Sequence, residues 1–537
     1  MRAVLIVDKD VPLAQWQTQA LSEAMNQGLS IGLIAVCNDD RKITYQFKHA
    51  GYYALAIISR KFMAMNKPTL RNALNFETIP RIYFDSEWEG AWQRIPNHIA
   101  NEFAGFDVAI KFGMNLLRDP DALPLKFGVL SYHHGDPERY RGRPAGYYEM
   151  RDGEYVQGII VQTLSNVLDG GRILARGFAP VAKHSYARTL DTAYRAGVPL
   201  LQIALRNLSL DRDIELKTLG PNFRLPNNLS IIKFVSRMVA KKFSRLSYGL
   251  FREKRWLVGR LTAPINASGH NLISQHHIEP VQPPNGYTFA ADPMRASDGT
   301  AFCELLNGKT GLGEIARWTG SEWKFLQGTH FTAHASYPFL VNHDGVTYML
   351  AEVASASSPT LWQLTDDLTQ VVNQIPLQGL TEERLIDTTL YLHHGVWYLF
   401  AGHEQTGLYE LELWHAPNLF GPFTKHPSSP IAIDPRGARM AGGIVVQGSA
   451  IYRFGQDCSQ GYGRRIITHQ IVELSADAYE EVHAGSITCE SSFGPHTISF
   501  GPAGVLMEDQ LAWIDYYNEV WSVTAGVKRI KAMLSRR

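Results

Sequence analysis

An α/β domain on a largely parallel sheet, followed by an all-β five-bladed propeller, is the fold class the sequence predicts. Three observations point to it. Over residues 1–208, β-branched runs alternate with segments of helical spacing. Over 209–257, a breaker cluster leads into a strongly basic stretch. Over 258–505, helical periodicity nearly vanishes and short aromatic strands open at near-regular intervals. Residues 506–537 remain as a closing segment with a basic tail.

Ala3–Val7 and Ile31–Val36 are apolar runs, and Leu13, Trp16, Ala20, Leu21 and Met25 recur between them at helical spacing. Arg81–Phe84, Asp107–Phe112, Phe127–Ser131 and Gly158–Gln162 read as further strands, and Ile99–Phe106 and Ala187–Leu208 as helices. Strands joined by helical crossovers run parallel and are covered on both faces. After the breakers of Asn222–Ser230, Ile231–Arg255 carries eight basic residues and one acid, Glu253. Its apolar positions Ile231, Phe234, Val235, Met238 and Leu246 fall at helical spacing. A basic amphipathic helix of this kind is expected either as a solvated linker helix packed between domains or as a peripheral contact with an anionic membrane, with the 527–537 tail adding to it.

In the β region, Ala291-Asp292-Pro293, Ser336-Tyr337-Pro338-Phe339 and Ile386-Asp387-Thr388 each open a unit. Each leads to a tight turn: Asp298-Gly299, Asp344-Gly345 and His394-Gly395. Ala441-Gly442-Gly443 and Gly494-Pro495-His496-Thr497 look like the next two openings. The steps of 45, 50, about 54 and about 55 residues suit a four-stranded blade.

The 537 residues are 45% hydrophobic and 19% charged, which excludes a mainly disordered chain. A net charge of +1 argues against a global polyanion-binding surface, and no nucleic acid partner is expected. Cys37, Cys303, Cys458 and Cys489 lie far apart without CxxC spacing, so neither a zinc site nor a disulfide scaffold is indicated. No metal is expected at His133, His134 and Asp136 either, because adjacent histidines seldom converge on one ion. No stretch approaches the roughly 18 apolar residues of a membrane span. The N-terminal apolar run is too short for a signal peptide. A cytoplasmic protein, at most peripheral at a membrane, is the expectation.

The most informative run is Phe127–Pro144, a strand that breaks into a Gly/Pro-containing loop carrying His133 and His134. Val167-Leu168-Asp169-Gly170-Gly171 is a second strand-to-loop transition. Sites in parallel sheets form beyond the carboxyl ends of strands, so His133 and Asp169 can meet there. The carboxylate would fix the imidazole for acid–base work. These stretches resemble the Rossmann-like formyltransferase fold of methionyl-tRNA and amino-sugar formyltransferases. Ser131-Tyr132-His133 falls on that family's Asn-x-His, Arg139-Tyr140-Arg141-Gly142 on its Arg-x-Arg-Gly loop, and Leu168-Asp169-Gly170-Gly171 on its Leu-Asp-x-Gly. The resemblance covers residues 1–208. It implies formyl transfer from 10-formyltetrahydrofolate to an amine, with His133 as base and Asp169 orienting it. Ser131, where the family has asparagine, would polarise the formyl oxygen. Phe112, Gly113, Met114 and Leu168 would line the cofactor.

The Ala-Asp-Pro opening, Asp387 and the five-unit count resemble the propeller of family-43-type glycosidases. Ser336–Phe339 and Arg453–Cys458 resemble propeller modules attached to some glycolipid glycosyltransferases. That likeness implies a saccharide site with Asp292, Tyr337, Glu352 and Asp387, and with Tyr337, Trp397 and Tyr462 stacking on sugar faces. The Arg439–Gly443 opening offers no carboxyl where a general acid belongs, so binding without cleavage is expected. The combined expectation is an N-formyltransferase acting on an amino sugar or glycoconjugate. The alternatives are a carbohydrate-binding protein on an inactive formyltransferase-like scaffold, and a glycoside-active propeller enzyme. The oligomeric state is left open.

Overall fold

The apolar runs of the first 180 residues become one sheet. The structure, a computed structural model, describes residues 1–39, 46–69, 74, 76–329, 333–354, 356–501 and 511–535. It divides into two units, Met1–Arg245 and Leu246–Arg537. In the first unit the strands are β1 (Arg2–Asp8), β2 (Ser30–Cys37), β3 (Arg81–Phe84), β4 (Val108–Lys111), β5 (Val129–His133), β6 (Val156–Thr163) and β7 (Ile173–Pro180). They lie in the order β3-β2-β1-β4-β5-β6-β7. β1 to β5 are parallel, whereas β6 runs antiparallel to both of its neighbours. The sheet is therefore mixed, not wholly parallel. The short β6–β7 connection has no room for a crossover helix, so this pair must be antiparallel.

Helices α1 (Gln15–Asn26), α2 (Ala50–Arg60), α3 (Tyr147–Asp152), α4 (Tyr186–Gly197) and α5 (Leu200–Ser209) belong to the unit, and α6 (Asn228–Phe251) runs from it past the boundary at Arg245. Val4, Ile6, Ala109 and Val129 of the sheet are fully buried in one core with Phe103. The single helix expected over Ala187–Leu208 is two, because Pro199 lacks an amide proton and breaks the run. Ile99–Phe106 is only the end of a turn, Asn97–Ala100, followed by a 3₁₀ turn, Asn101–Phe103. α6 ends at Phe251, and Arg252–Arg255, expected on the helix, begin a strand instead.

Among its described residues the second unit is all-β apart from the end of α6, the C-terminal helix α7 (Val523–Ser535) and a short 3₁₀ turn. Its organising strands are β8 (Arg252–Leu261), β9 (Tyr287–Arg295), β10 (Ala335–His343), β11 (Leu385–His393), β12 (Arg436–Met440), β13 (Ala450–Asp457), β14 (Ile498–Ser499) and β15 (Trp513–Trp521). β9, β10 and β11 each lead a separate antiparallel sheet of consecutive strands. β12 and β13 belong to a fourth sheet, and β8, β15 and β14 to a fifth. This array of separate sheets is reminiscent of propellers and barrels. The last two sheets are not contiguous repeats. The fourth takes in Gly269–Ile273 beside Tyr479–Cys489, and the fifth joins β8 to β15. Strands that precede the first repeat opening find partners in these last two sheets. Arg536 and Arg537 of the basic tail, and the side chains of Lys528 and Lys531, lie outside the described residues.

The repeat openings have a common backbone form. β9, β10 and β11 each carry a register shift at the repeat opening, between Ala291 and Met294, Ser336 and Phe339, and Ile386 and Thr389. At these bulges Asp292, Tyr337 and Asp387 adopt φ values of 51°, 46° and 50°. Tyr337 is wholly buried. Its hydroxyl pairs with Thr389 Oγ1 at 2.8 Å and accepts the Gly442 amide at 2.9 Å, joining β10, β11 and the segment after β12 at one atom. Tyr337→Phe leaves both partners buried without it. We expect it to lower unfolding free energy by about 1–3 kcal/mol, read as a shift in urea midpoint at unchanged slope.

Candidate functional site

A non-glycine residue in the left-handed region costs about 1–3 kcal/mol and persists only where its surroundings over-determine it; such residues concentrate at active sites. Three of them at equivalent bulges in β9, β10 and β11 make these openings the place to look. Asp292 and Asp387 are both nearly inaccessible. The Asp292 amide donates to Asp515 Oδ2 at 3.0 Å, and Asp292 Oδ1 accepts the Thr497 hydroxyl at 2.7 Å. His496 stands between the two carboxylates, with Nε2 3.4 Å from Asp292 Oδ1 and Nδ1 2.5 Å from Asp515 Oδ2. Asp515 Oδ1 also accepts the amides of His496 and Thr497, at 3.0 and 2.9 Å.

Asp387 is held differently. Arg439 contacts both its oxygens, Nε at 2.5 Å and a terminal nitrogen at 3.2 Å, and Gln456 donates to Oδ2 at 3.2 Å. Its amide donates to Glu352 Oε2 at 3.2 Å. Burial pushes the Asp292 carboxyl up to about 7, with Asp515 adding repulsion against the pull of His496. Burial likewise raises Glu352 to about 7, helped by Asp387 and opposed by Arg439. For His496, burial favours the neutral ring, but Asp515 and Asp292 outweigh it and raise the pKa. Two carboxyls able to exchange protons near neutrality, beside a carboxylate locked to arginine, can perform acid–base chemistry.

No metal was expected from the sequence. Asp292, His496 and Asp515 nevertheless present ligand atoms within 4.8 Å of one another, a donor set able to hold a cation. Of the residues the sequence assigns to saccharide contact, Asp292, Glu352 and Asp387 come together here. Tyr337 and Trp397 are buried in packing and cannot stack on a ligand, whereas Tyr462 is 36% exposed. Sequence reasoning missed Arg439, His496 and Asp515 as members. The first two stand in or beside openings it had marked. Asp515 lies in Trp513–Trp521, which shows no repeat signal.

In the first unit, His133 Nδ1 lies 3.3 Å from Asp169 Oδ1, and Asp169 Oδ2 accepts the Gly142 amide at 2.9 Å. His133 Nε2, the nitrogen a substrate amine would need, is 3.0 Å from the Tyr140 carbonyl. His134 is packed among Trp16, Tyr132 and Tyr194, and burial pushes it down to about 3. Ser131 sits mid-sheet, paired across β6 with Gln162. Phe112 packs on Trp16 and Tyr132. Gly113 lies so close to Val7 that a Cβ would be 2.4 Å from its carbonyl carbon. The Met114 amide donates to Asp8, and the Leu168 carbonyl accepts from Arg141.

Residues 289–498 match the family profile described as glucosamine inositolphosphorylceramide transferase 1, N-terminal. The rice (Oryza sativa subsp. japonica) protein named glucosamine inositolphosphorylceramide transferase 1 is 32% identical over 215 residues, 36% of this chain and 28% of its own length. The Arabidopsis thaliana protein of the same name is 32% identical over 214 residues, 36% of this chain and 27% of that one. The chain thus spans little more than a quarter of these relatives. Among solved structures, phosphoribosylglycinamide formyltransferase from Anaplasma phagocytophilum overlaps 42% of this chain and 98% of its own at a TM-score of 0.28 and 13% identity. A thermostable family-43 glycoside hydrolase overlaps 38% and 77% at a TM-score of 0.31 and 10% identity.

The match over 289–498 overturns the formyl-transfer expectation. The relatives it identifies are named for transfer involving glucosamine and inositolphosphorylceramide, so neither N-formyltransferase activity nor 10-formyltetrahydrofolate as cofactor stands. The match covers Asp292, Tyr337, Glu352, Asp387, Arg439 and His496 of the β-unit cluster. Among the described residues no helix is long and apolar enough to cross a membrane.

Glu352 gives a prediction with a definite sign. Its folded pKa of about 7 lies above the ordinary 4.5, so the folded state binds the proton more tightly. Stability therefore falls as pH rises from about 4.5 to 7 and stays reduced above that. Glu352→Gln removes this penalty. In thermal melts the variant should gain on the wild type by at least about 1 kcal/mol at pH 8 and little at pH 5. An equal difference at both pH values would contradict the assignment.

Proposed function

We propose that the β unit recognises the saccharide headgroup of a glycolipid and takes part in glycosyl transfer to or from it. One observation carries this reading: two near-neutral carboxyls, Asp292 and Glu352, sit with the Arg439-locked Asp387 inside the region similar to a glycolipid-directed transferase. In this reading the five sheets are propeller blades over 258–505, with the cluster at their shared axis and 506–537 closing the array. Glu352, the more open of the two acids, accepts a proton from a sugar hydroxyl as it becomes a nucleophile. Asp387, with both oxygens engaged by Arg439 and Gln456, fixes Glu352 through its amide. Asp292 and His496 hold the deeper end of the site. Residues 1–208 and the basic segment within 209–257 serve as a support that brings the chain to an anionic bilayer. There His133 and Asp169 act as a positioning pair that holds the Tyr140–Gly142 loop.

A second reading, glycoside cleavage, draws on the same raised carboxyls, since protonating a glycosidic oxygen needs one. A single experiment separates the two. The full chain is titrated by calorimetry with micelles of a glucosamine-bearing phosphoinositol glycolipid and assayed for hexosamine incorporation and for free sugar. We expect binding that weakens about tenfold or more in Glu352→Ala and in Asp387→Ala. Free reducing sugar lost in Asp292→Asn would favour cleavage. Binding indifferent to all three changes would remove the saccharide site from this cluster.

A further inference from the structure

The first unit contains a cavity of about 490 Å³ that the chemistry above does not use. It lies between α3 and α6, with Lys183 contributed by the segment after β7. Five cations line it, Arg151, Lys183, Lys233, Arg237 and Lys241, and no carboxylate does. Tyr147, Met150, Phe234 and Met238 form its apolar wall.

The placement follows from helix geometry. Lys233, Arg237 and Lys241 recur every four residues and share one stripe of α6. Phe234 and Met238 recur with the same step and turn toward the core formed with Tyr147 and Tyr186. Arg151 is paired with Asp152, but Lys233, Arg237 and Lys241 form no ion pair among the described residues. Burial holds the Lys183 ammonium below its ordinary value, partly offset by Tyr155, and Lys241 adds repulsion. Like charges gathered around a concave, partly apolar space are unfavourable unless an anion joins them.

The ligand must therefore carry negative charge at one end and apolar surface at the other. The rest of α6 indicates what bears it. Leu229, Ile232, Val239 and Phe243 are 61, 65, 43 and 68% exposed, a second, apolar stripe outside the cavity. The start of α2 is tied to the start of α6, since the Gly51 amide donates to Asn228 Oδ1 and the Asn228 side chain donates to the Phe47 carbonyl, each at 2.9 Å. Phe47 is exposed there, and farther along the same segment Ile57, Ile58 and Phe62 are also exposed. Exposed apolar side chains beside unpaired cations suit a bilayer surface; a soluble polyanion would have no use for them.

We propose that this cavity binds the phosphodiester headgroup of an anionic membrane lipid, with Lys183, Lys233 and Arg237 on the phosphate and the apolar stripe of α6 entering the bilayer. The inference deepens the reading of the basic segment as a membrane contact by adding a site to what surface charge alone would give.

The test is co-sedimentation of the full chain with vesicles of phosphatidylcholine alone and with added phosphatidylinositol. Lys233→Glu with Arg237→Glu is compared with Lys242→Glu with Arg245→Glu, an equal charge change on the same helix outside the cavity. Met238→Trp fills the space without changing charge. We expect the first pair and Met238→Trp each to weaken phosphatidylinositol-dependent binding at least about tenfold more than the control pair. Circular dichroism melts accompany each variant, and Lys233→Gln with Arg237→Gln replaces any charge reversal that unfolds. Equal losses in both pairs with no effect of Met238→Trp would overturn the site while leaving general membrane attraction standing. Glycerophosphoinositol binding as tightly as the vesicles would make the ligand a soluble phosphate. Homopolymeric RNA displacing the vesicles at equal phosphate would make it a nucleic acid. Either result would overturn the lipid assignment.

Discussion

The β unit depends on three residues held where glycine would be cheaper. Asp292, Tyr337 and Asp387 each sit at a bulge in the first strand of a sheet with a left-handed backbone. At about 1–3 kcal/mol each, that strain must be offset by what the side chains do. All three reach across to other sheets: Asp292 to Thr497, Tyr337 to Thr389 and Gly442, and Asp387 to Arg439 and Gln456. The strained positions and the joints between sheets are the same positions. A glycine there would relax the backbone and lose the joint.

The unit treats buried charge in two contrasting ways. Arg453 is wholly buried, but it donates to both oxygens of Glu481 at 2.7 and 2.6 Å and to the Gly437 carbonyl at 2.8 Å. Against the upward push of burial, Arg453 and His469 hold Glu481 down to about 2. That pair is fully compensated and belongs to the scaffold. Asp292 and Glu352 are not compensated in this way, and repulsion from neighbouring carboxylates adds to their burial. An acid left near neutrality inside a protein is costly to keep, and sites of chemistry are where such a cost has a use.

Much of the fold was legible because its signals are local. Arg81–Phe84 coincides with the observed strand, and Asp292, Tyr337 and Asp387 were visible as repeat openings before any bulge was seen. What stayed hidden depends on distant partners. β7 and the antiparallel direction of β6, itself read as a strand at Gly158–Gln162, follow from a short connection and leave no distinctive pattern in sequence. Arg252–Arg255 carries enough charge to read as more helix, and only pairing with Asn518–Trp521 makes it a strand. Tyr337 and Trp397 look like sugar-stacking aromatics in sequence, yet both are consumed by packing. In the first unit the sequence puts His133 and Asp169 at two strand ends; His133 does end β5, but Asp169 lies in the loop between the antiparallel β6 and β7. The Tyr140 carbonyl on the far side of the ring could not be foreseen, because a backbone acceptor leaves no mark in sequence.

The pairing of β8 with β15, from Arg252 opposite Trp521 to Arg260 opposite Trp513, has a consequence for biosynthesis. A ribosome delivers β8 long before β15 exists, so one side of β8 waits with its amides and carbonyls unpaired while four sheets' worth of chain emerges. An edge left open in this way invites pairing with a neighbouring nascent chain. The run Arg252-Glu253-Lys254-Arg255 places consecutive charges at the start of that waiting strand. The residues that gave the segment its helical disguise are thus of the charged kind that disfavours edge-to-edge pairing of an open strand.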